Sequence, residues 1–200
     1  MIIDVSSNQG HIDFTLVAPQ VDSVFIRTSL GYGDMDKNAQ YYAPHAKNAG
    51  LPVSYYHFAY LHSDQEPVAD ATKQANWFLQ CVATLPDYQE LVIDLEEFNA
   101  QGEDTTFSHD DYALWLQTFL DVVEQATSKK MIIYSYADYL NRHLPVGHTF
   151  GNYRLWLASY TNAPEPALPN GWSDTFMWQY SAKGAIMGIT GFVDLTKITN

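Results

Sequence analysis

The chain has 200 residues, 46% of them hydrophobic, which suits one sizeable core and a single catalytic-sized domain over residues 1–200. Against 10 basic residues stand 23 acidic ones, and the formal charge of −13 would repel a polyanion partner such as nucleic acid. The lone cysteine, Cys81, rules out an intrachain disulfide and a cysteine zinc site, and no apolar run approaches the ~18 residues of a membrane-spanning helix.

Taken in chain order, Met1 to Ser7 reads as a short strand with Asp4 inside an apolar run, where a charge is costly unless paired or used. Ser6 to Gly10 is a turn, and Ile12 to Val21 a short helical or irregular link. Ser23 to Ser29 is a second strand with Arg27 near its end, followed by a loop at Gly31 to Asp34. Asn38 to Asn48 is a helix stopped by Gly50, and Pro52 to Phe58 a third strand. Asp64 to Leu85 has helical spacing and ends at Pro86; within it Cys81, beside Trp77, Phe78, Val82 and Leu85, reads as an inert core thiol.

Leu91-Val92-Ile93-Asp94-Leu95-Glu96 is a buried strand that exits into two acids. Phe98 to Thr106 is a polar loop. Ser108 then caps a helix with Asp110 and Asp111 in its first turn and an expected apolar face of Leu114, Trp115, Phe119, Val122 and Val123. Met131 to Ser135 is the next strand, with a short helix around Asp138 to Arg142. Tyr153 to Ser159 is another strand, Asn162 to Gly171 a Pro-rich loop, and Thr175 to Tyr180 and Gly191 to Leu195 the last two strands. Eight strands alternating with helices predict an α/β fold, a TIM-like (β/α) barrel of parallel strands. The last third lacks room for crossover helices, so the helix set, about five, is incomplete on that side.

Chemistry gathers at the strand ends. Residues i and i+2 of a strand share a face, so Asp94 and Glu96 stand side by side. Like charges that close resist joint ionisation, and one carboxyl keeps its proton to higher pH, as a general acid must. A solvated acidic loop is the plain alternative for this stretch alone. Asp4, Arg27, Tyr56 or His57, Tyr134, Trp156, Gln179 and Asp194 also lie near strand ends, and a barrel builds its site from that face. The first and last strands of a closed barrel are neighbours, which brings Asp4 and Asp194 toward the pair. By strand parity Trp156, Ala158 and Tyr160 share a face, directed at the cleft, while Ile93 and Leu95 face the helices. Gln179, between two aromatics, needs hydrogen-bonding partners if buried. His57 is expected on the opposite side as a satisfied core histidine, and His11, His45, His62, His109, His143 and His148, scattered without ligand spacing, as surface or cap residues.

The ordered set Asp4-Val5-Ser6-Ser7-Asn8-Gln9-Gly10, Gly50-Leu51-Pro52-Val53 with Tyr56-His57-Phe58, Asp94-Leu95-Glu96, Ile133-Tyr134-Ser135, Leu155 to Tyr160, and Trp178-Gln179-Tyr180-Ser181 leading to Gly191 to Leu195 resembles a glycoside hydrolase family 25 lysozyme, an N-acetylmuramidase. The resemblance spans essentially the whole chain. It implies a barrel of eight strands with fewer helices and cleavage of the β-1,4 bond between N-acetylmuramic acid and N-acetylglucosamine in peptidoglycan. It makes Glu96 the general acid/base and Asp94 its partner. The substrate's 2-acetamido group would attack the anomeric carbon, with Asp4 and Asp194 as the remaining acids. Tyr56, Tyr134, Trp156, Gln179, Arg27 and Tyr160 are the expected substrate contacts. One departure stands out: many members carry Lys-Ala-Ser/Thr-Glu-Gly where this chain has Arg27-Thr28-Ser29-Leu30-Gly31, so the acid of that loop is missing.

Two alternatives remain at this level. One is a metal-dependent carbohydrate deacetylase or hydrolase on a barrel, for which the histidine spacing gives no support. The other is a degenerate cell-wall-binding module, which predicts a missing acid although all four are present. The expected partner is the peptidoglycan glycan strand, met as a monomer at the bacterial wall, with no cofactor, metal, nucleic acid or membrane insertion. No signal peptide is visible. An acidic domain facing an anionic wall suggests a separate wall-binding module outside this chain.

Overall fold

The computed structural model describes residues 1–62, 64–97 and 106–199. Its strands are β1 (Ile2–Val5), β2 (Ser23–Leu30), β3 (Asp34–Met35), β4 (Val53–Phe58), β5 (Leu91–Asp94), β6 (Ile132–Tyr136), β7 (Arg154–Ala158), β8 (Met177–Gly184) and β9 (Val193–Ile198). Five α-helices accompany them: α1 (Phe14–Val17), α2 (Ala39–Asn48), α3 (Pro67–Val82), α4 (His109–Thr127) and α5 (Ala137–His143). The strands follow the order β1-β9-β8-β7-β6-β5-β4-β2, and β1 also pairs with β2, which closes the expected eight-stranded barrel. The short β3 folds back on β2 as an additional hairpin strand. The polar loop expected at Phe98 to Thr106 lies almost wholly outside the described residues.

Among the eight barrel strands the parallel arrangement holds for all but β9, which runs antiparallel to both β8 and β1. Residues 185–192 cannot span a parallel return, which takes about a dozen residues, so the chain comes back as a hairpin. The reversal puts the start of β9 at the same end of the barrel as the C-terminal ends of the other strands.

A layer of side chains fills the barrel: Ile2, Phe25, Tyr56, Val92, Ile132, Trp156 and Met177, one from each parallel strand. Fully burying such side chains contributes roughly 1.5–3 kcal/mol each. A second cluster joins the outward residues, including Ile3, Ile93, Leu95, Ile133, Leu155 and Leu157, to the helices. Ile93 and Leu95 thus face the helices as parity predicts.

Local signals set the helix ends. Ser108 Oγ accepts from Asp111 N (3.1 Å) at the start of α4. Pro67 occupies the first turn of α3, where its missing N–H costs nothing. The α4 face differs from expectation. Its buried side is Tyr112, Trp115, Leu116, Phe119, Leu120 and Val123, whereas Leu114 is 48% exposed. At i, i+4 and i+7, Tyr112, Leu116 and Phe119 share one stripe, and Leu114 falls off it.

Candidate active site

On each parallel strand the residue two positions past the plug layer lies toward the open end, and on β4 that residue is Phe58. Ile2 leads to Asp4, Phe25 to Arg27, Val92 to Asp94, Ile132 to Tyr134, Trp156 to Ala158 and Met177 to Gln179. On antiparallel β9 the order inverts: Thr196 pairs with Ile2 in the plug, and Asp194 pairs with Asp4 above it. The outcome is a cavity of about 210 Å³ lined by Asp4, Ser6, Asn8, Gln9, Arg27, Tyr56, Phe58, Val92, Asp94, Glu96, Tyr134, Trp156, Gln179 and Asp194. All four candidate acids are therefore brought together from β1, β5 and its exit, and β9.

Among the described lining residues the one permanent cation is Arg27. A bulge at Thr28 aims it: Arg27 pairs with Tyr56 and Ser29 with His57, so the strand changes face within one residue. Arg27 Nε donates to Asp36 Oδ2 (2.9 Å), and Nη2 lies 3.4 Å from Ser7 Oγ. Asp36 also accepts from Ser7 N and Asn38 N, both at 3.0 Å. Leu30 occupies the place of the family's loop acid, and the carboxylate that meets Arg27 comes instead from Asp36 on the hairpin. Sequence reading missed Asp36; its signal, an acid just past a Gly-rich turn, is common to many loops.

Gln179 is oriented on every side. Its Nε2 donates to Asp4 Oδ2 (3.0 Å), and its Oε1 accepts from Tyr134 Oη (2.9 Å) and Tyr160 Oη (2.6 Å). Tyr160 is 59% exposed and stands at the rim, while Trp156 is buried in the floor with Nε1 donating to Thr196 Oγ1 (3.0 Å). Tyr134 meets Trp156 edge-on at 4.8 Å between ring centres.

Burial and like charge push all four carboxyls upward. Asp4 and Asp94 lie well above the usual carboxylate range, chiefly by burial, then by Asp194 for Asp4 and by Glu96 for Asp94. Glu96 is pushed up to about 7 by burial and by the neighbouring charges of Glu97 and Asp194, against a hydrogen bond with Asp94 and the pull of Arg27. Burial moves Asp194 to about 6. One oxygen of Asp94, Oδ1, is buried with no hydrogen-bond partner among the described residues.

His57 points away from the cavity, as parity predicts. Its Nδ1 lies 2.8 Å from Ser29 Oγ and its Nε2 3.2 Å from Gln74 Oε1, and burial lowers its pKa to about 4. Cys81 is a buried free thiol pushed up to about 11. His143 departs from the surface role expected of it: it is buried and stacks on Tyr112, with ring centres 5.1 Å apart, because α5 turns it inward against α4.

Comparison with known proteins agrees with this geometry. The family model described as glycosyl hydrolases family 25 matches residues 3–189. The chain is 28% identical over 198 residues to the autolytic lysozyme of Clostridium acetobutylicum, covering 98% of this chain and 55% of that protein. A bacterial lysozyme from Streptomyces coelicolor has the same fold with a TM-score of 0.85 at 25% identity, over 99% of this chain and 91% of that one. The CTP1L endolysin gives 0.81 at 28% identity, over 100% of this chain and 66% of that one. The chain thus spans little more than half the length of the Clostridium relative. A family match over nearly its full length, on a closed barrel whose open end gathers four acids, means that this chain belongs to glycosyl hydrolases family 25.

Proposed function

We propose that this chain is the catalytic unit of a muramidase, hydrolysing the β-1,4 bond between N-acetylmuramic acid and N-acetylglucosamine in bacterial peptidoglycan. The observation that carries the reading is the convergence of Asp4, Asp94, Glu96 and Asp194 on one cavity, with Glu96 poised at about 7. A general acid/base works best with its pKa near the operating pH, since it must give a proton and then take one back. Glu96 protonates the glycosidic oxygen, and the substrate's 2-acetamido group attacks the anomeric carbon. Asp94 faces that acetamide with its unpartnered oxygen. Burial holds its carboxyl well above the usual range, and the positive charge developing on the sugar offsets that cost and lets it act as the stabilising anion. Asp4 and Asp194 hold the field and orient groups, and Gln179 fixes Asp4.

Ligand pockets usually measure about 300–1,000 Å³. A cavity of about 210 Å³ is smaller, so it takes one sugar unit while the polymer runs across the mouth. Arg27, Tyr56, Tyr134, Trp156 and Gln179 line that unit's place, and Tyr160 meets the strand at the rim. The names of the relatives, an autolytic lysozyme and an endolysin, support a site of action at the cell wall. Among the described residues no helix is long and apolar enough to cross a membrane. Nor do three His, Cys, Asp or Glu side chains among them group as metal ligands, so no observation favours the metal-dependent alternative.

Mass spectrometry of digested peptidoglycan tests the reading. The expected products carry reducing-end muramic acid. Reducing-end glucosamine, or freed stem peptides, would sink it.

A further inference from the structure

Glu96 lies beyond the last residue of β5, in a segment whose hold cannot come from the sheet alone. Leu95 N and Ser135 Oγ pin its first half: Leu95 N donates to Tyr134 O (3.0 Å), and Ser135 Oγ donates to Leu95 O (2.7 Å). The residue after Glu96 is a second glutamate, and its carboxylate is held from the other side. Arg142 Nη2, in the last turn of α5, donates to Glu97 Oε1 at 2.5 Å, and Tyr136 Oη at the end of β6 donates to Glu97 Oε2. Arg142 is aligned in turn by Asp138 one turn earlier, through Nε to Oδ2 at 2.9 Å. β6 and α5 are continuous, so two adjoining elements grip the residue next to the candidate acid.

We propose that the Glu97–Arg142 ion pair is a positioning device. It fastens the turn that carries Glu96 to the β6–α5 corner, and the guanidinium limits the like charge that Glu97 sets beside it. The proposal rests on Glu96 being the acid of the proposed reaction. Neither residue touches the cavity, and neither is counted as catalytic. The charged and titratable groups that face Glu96 are Asp94 from the same segment, Asp4 from β1, Asp194 from β9, Arg27 from β2, Tyr134 from β6 and Tyr160 at the rim. Glu97 is the carboxylate among its neighbours with a cation built against it from outside the cavity.

A merely structural ion pair and this device make different predictions. Breaking a structural pair from either end gives the same effect. Breaking this pair gives opposite ones. In Glu97→Gln a like charge beside Glu96 is removed while Arg142 keeps Asp138, so Glu96 loses its proton more readily, and the basic limb of the pH profile of kcat/KM moves to lower pH. In Arg142→Met the Glu97 charge is left uncompensated, and the same limb moves to higher pH. The expected size of each shift is about half a pH unit, or about 0.7 kcal/mol. Arg142→Lys keeps the charge and should return the limb toward that of the parent chain. The pair is partly exposed, 43% for Arg142 and 22% for Glu97, so these variants are expected to fold, and thermal melts verify it. Limbs that move in the same direction, or that stay in place in folded variants, overturn the proposal. Substantial turnover in Glu96→Gln overturns instead the underlying assignment of the acid, so the two failures are distinguishable.

Discussion

At the scale of single residues, the site is an arrangement of protons. Four carboxyls and one Arg27 share a small cavity, and for Asp94 and Glu96 desolvation outweighs the attraction of that cation. Glu96→Gln removes the proposed proton donor without changing shape. It should lower turnover on peptidoglycan by about 10²–10⁴-fold, the usual worth of general acid–base catalysis, with the circular dichroism of the parent chain. A separate consequence concerns stability. Glu96 rises from 4.5 to about 7 on folding and Asp194 from 3.8 to about 6. A raised acid stabilises the fold fully below its unfolded value, and that contribution is lost as pH climbs through the folded value. Stability therefore falls between about pH 4 and 7, by at most about 3 kcal/mol for Glu96. Glu96→Gln should escape its part of this fall, so it should gain Tm relative to the parent at pH 8 but not at pH 4. An equal difference at both pH values would show that Glu96 carries no such strain. Natural sites commonly retain this kind of cost because activity needs it.

Elements decide which of these residues meet. The bulge at Thr28 turns Ser29 outward to His57 while Arg27 stays in the cavity, and the reversed β9 delivers Asp194 opposite Asp4. Neither event is visible as hydrophobic periodicity. A bulge inserts one residue without changing composition, and antiparallel return follows from a connection length. The α4 face is decided within the helix: Leu116 lies one turn from Tyr112 and beside Phe119, while Leu114, two residues from each of Tyr112 and Leu116, falls on the other side. Thermal unfolding separates them. Leu116→Ala, fully buried, should cost about 2–5 kcal/mol, and exposed Leu114→Ala no more than about 0.5 kcal/mol. Comparable losses at both positions would mean that the helix is rotated from this placement.

For the whole molecule, the charge of −13 is a property of the surface and says nothing about the barrel. It matters for encounter with an anionic wall. Raising salt from 0.01 M to 0.15 M shortens the screening length from about 30 Å to about 8 Å. If the proposed substrate is right, lysis of intact cells by this chain alone should quicken over that range. A rate that is flat or falls with salt would mean that repulsion does not limit the encounter, or that an attractive patch outweighs it.

The sequence alone determined the strand ends and what stands on them. Each apolar run stops on a polar or aromatic residue, and period two forces that residue onto the face of the apolar residue two before it, as in Ile2 and Asp4 or Val92 and Asp94. That rule is local, and it needs no knowledge of neighbours. Only the tertiary structure decided that β9 runs backward, that Asp36 rather than a residue beside Gly31 meets Arg27, and that Glu97 is gripped by Arg142. Those are contacts between segments distant in the chain. Their geometry follows from how the barrel closes, and no pattern within one segment encodes the partner supplied by another.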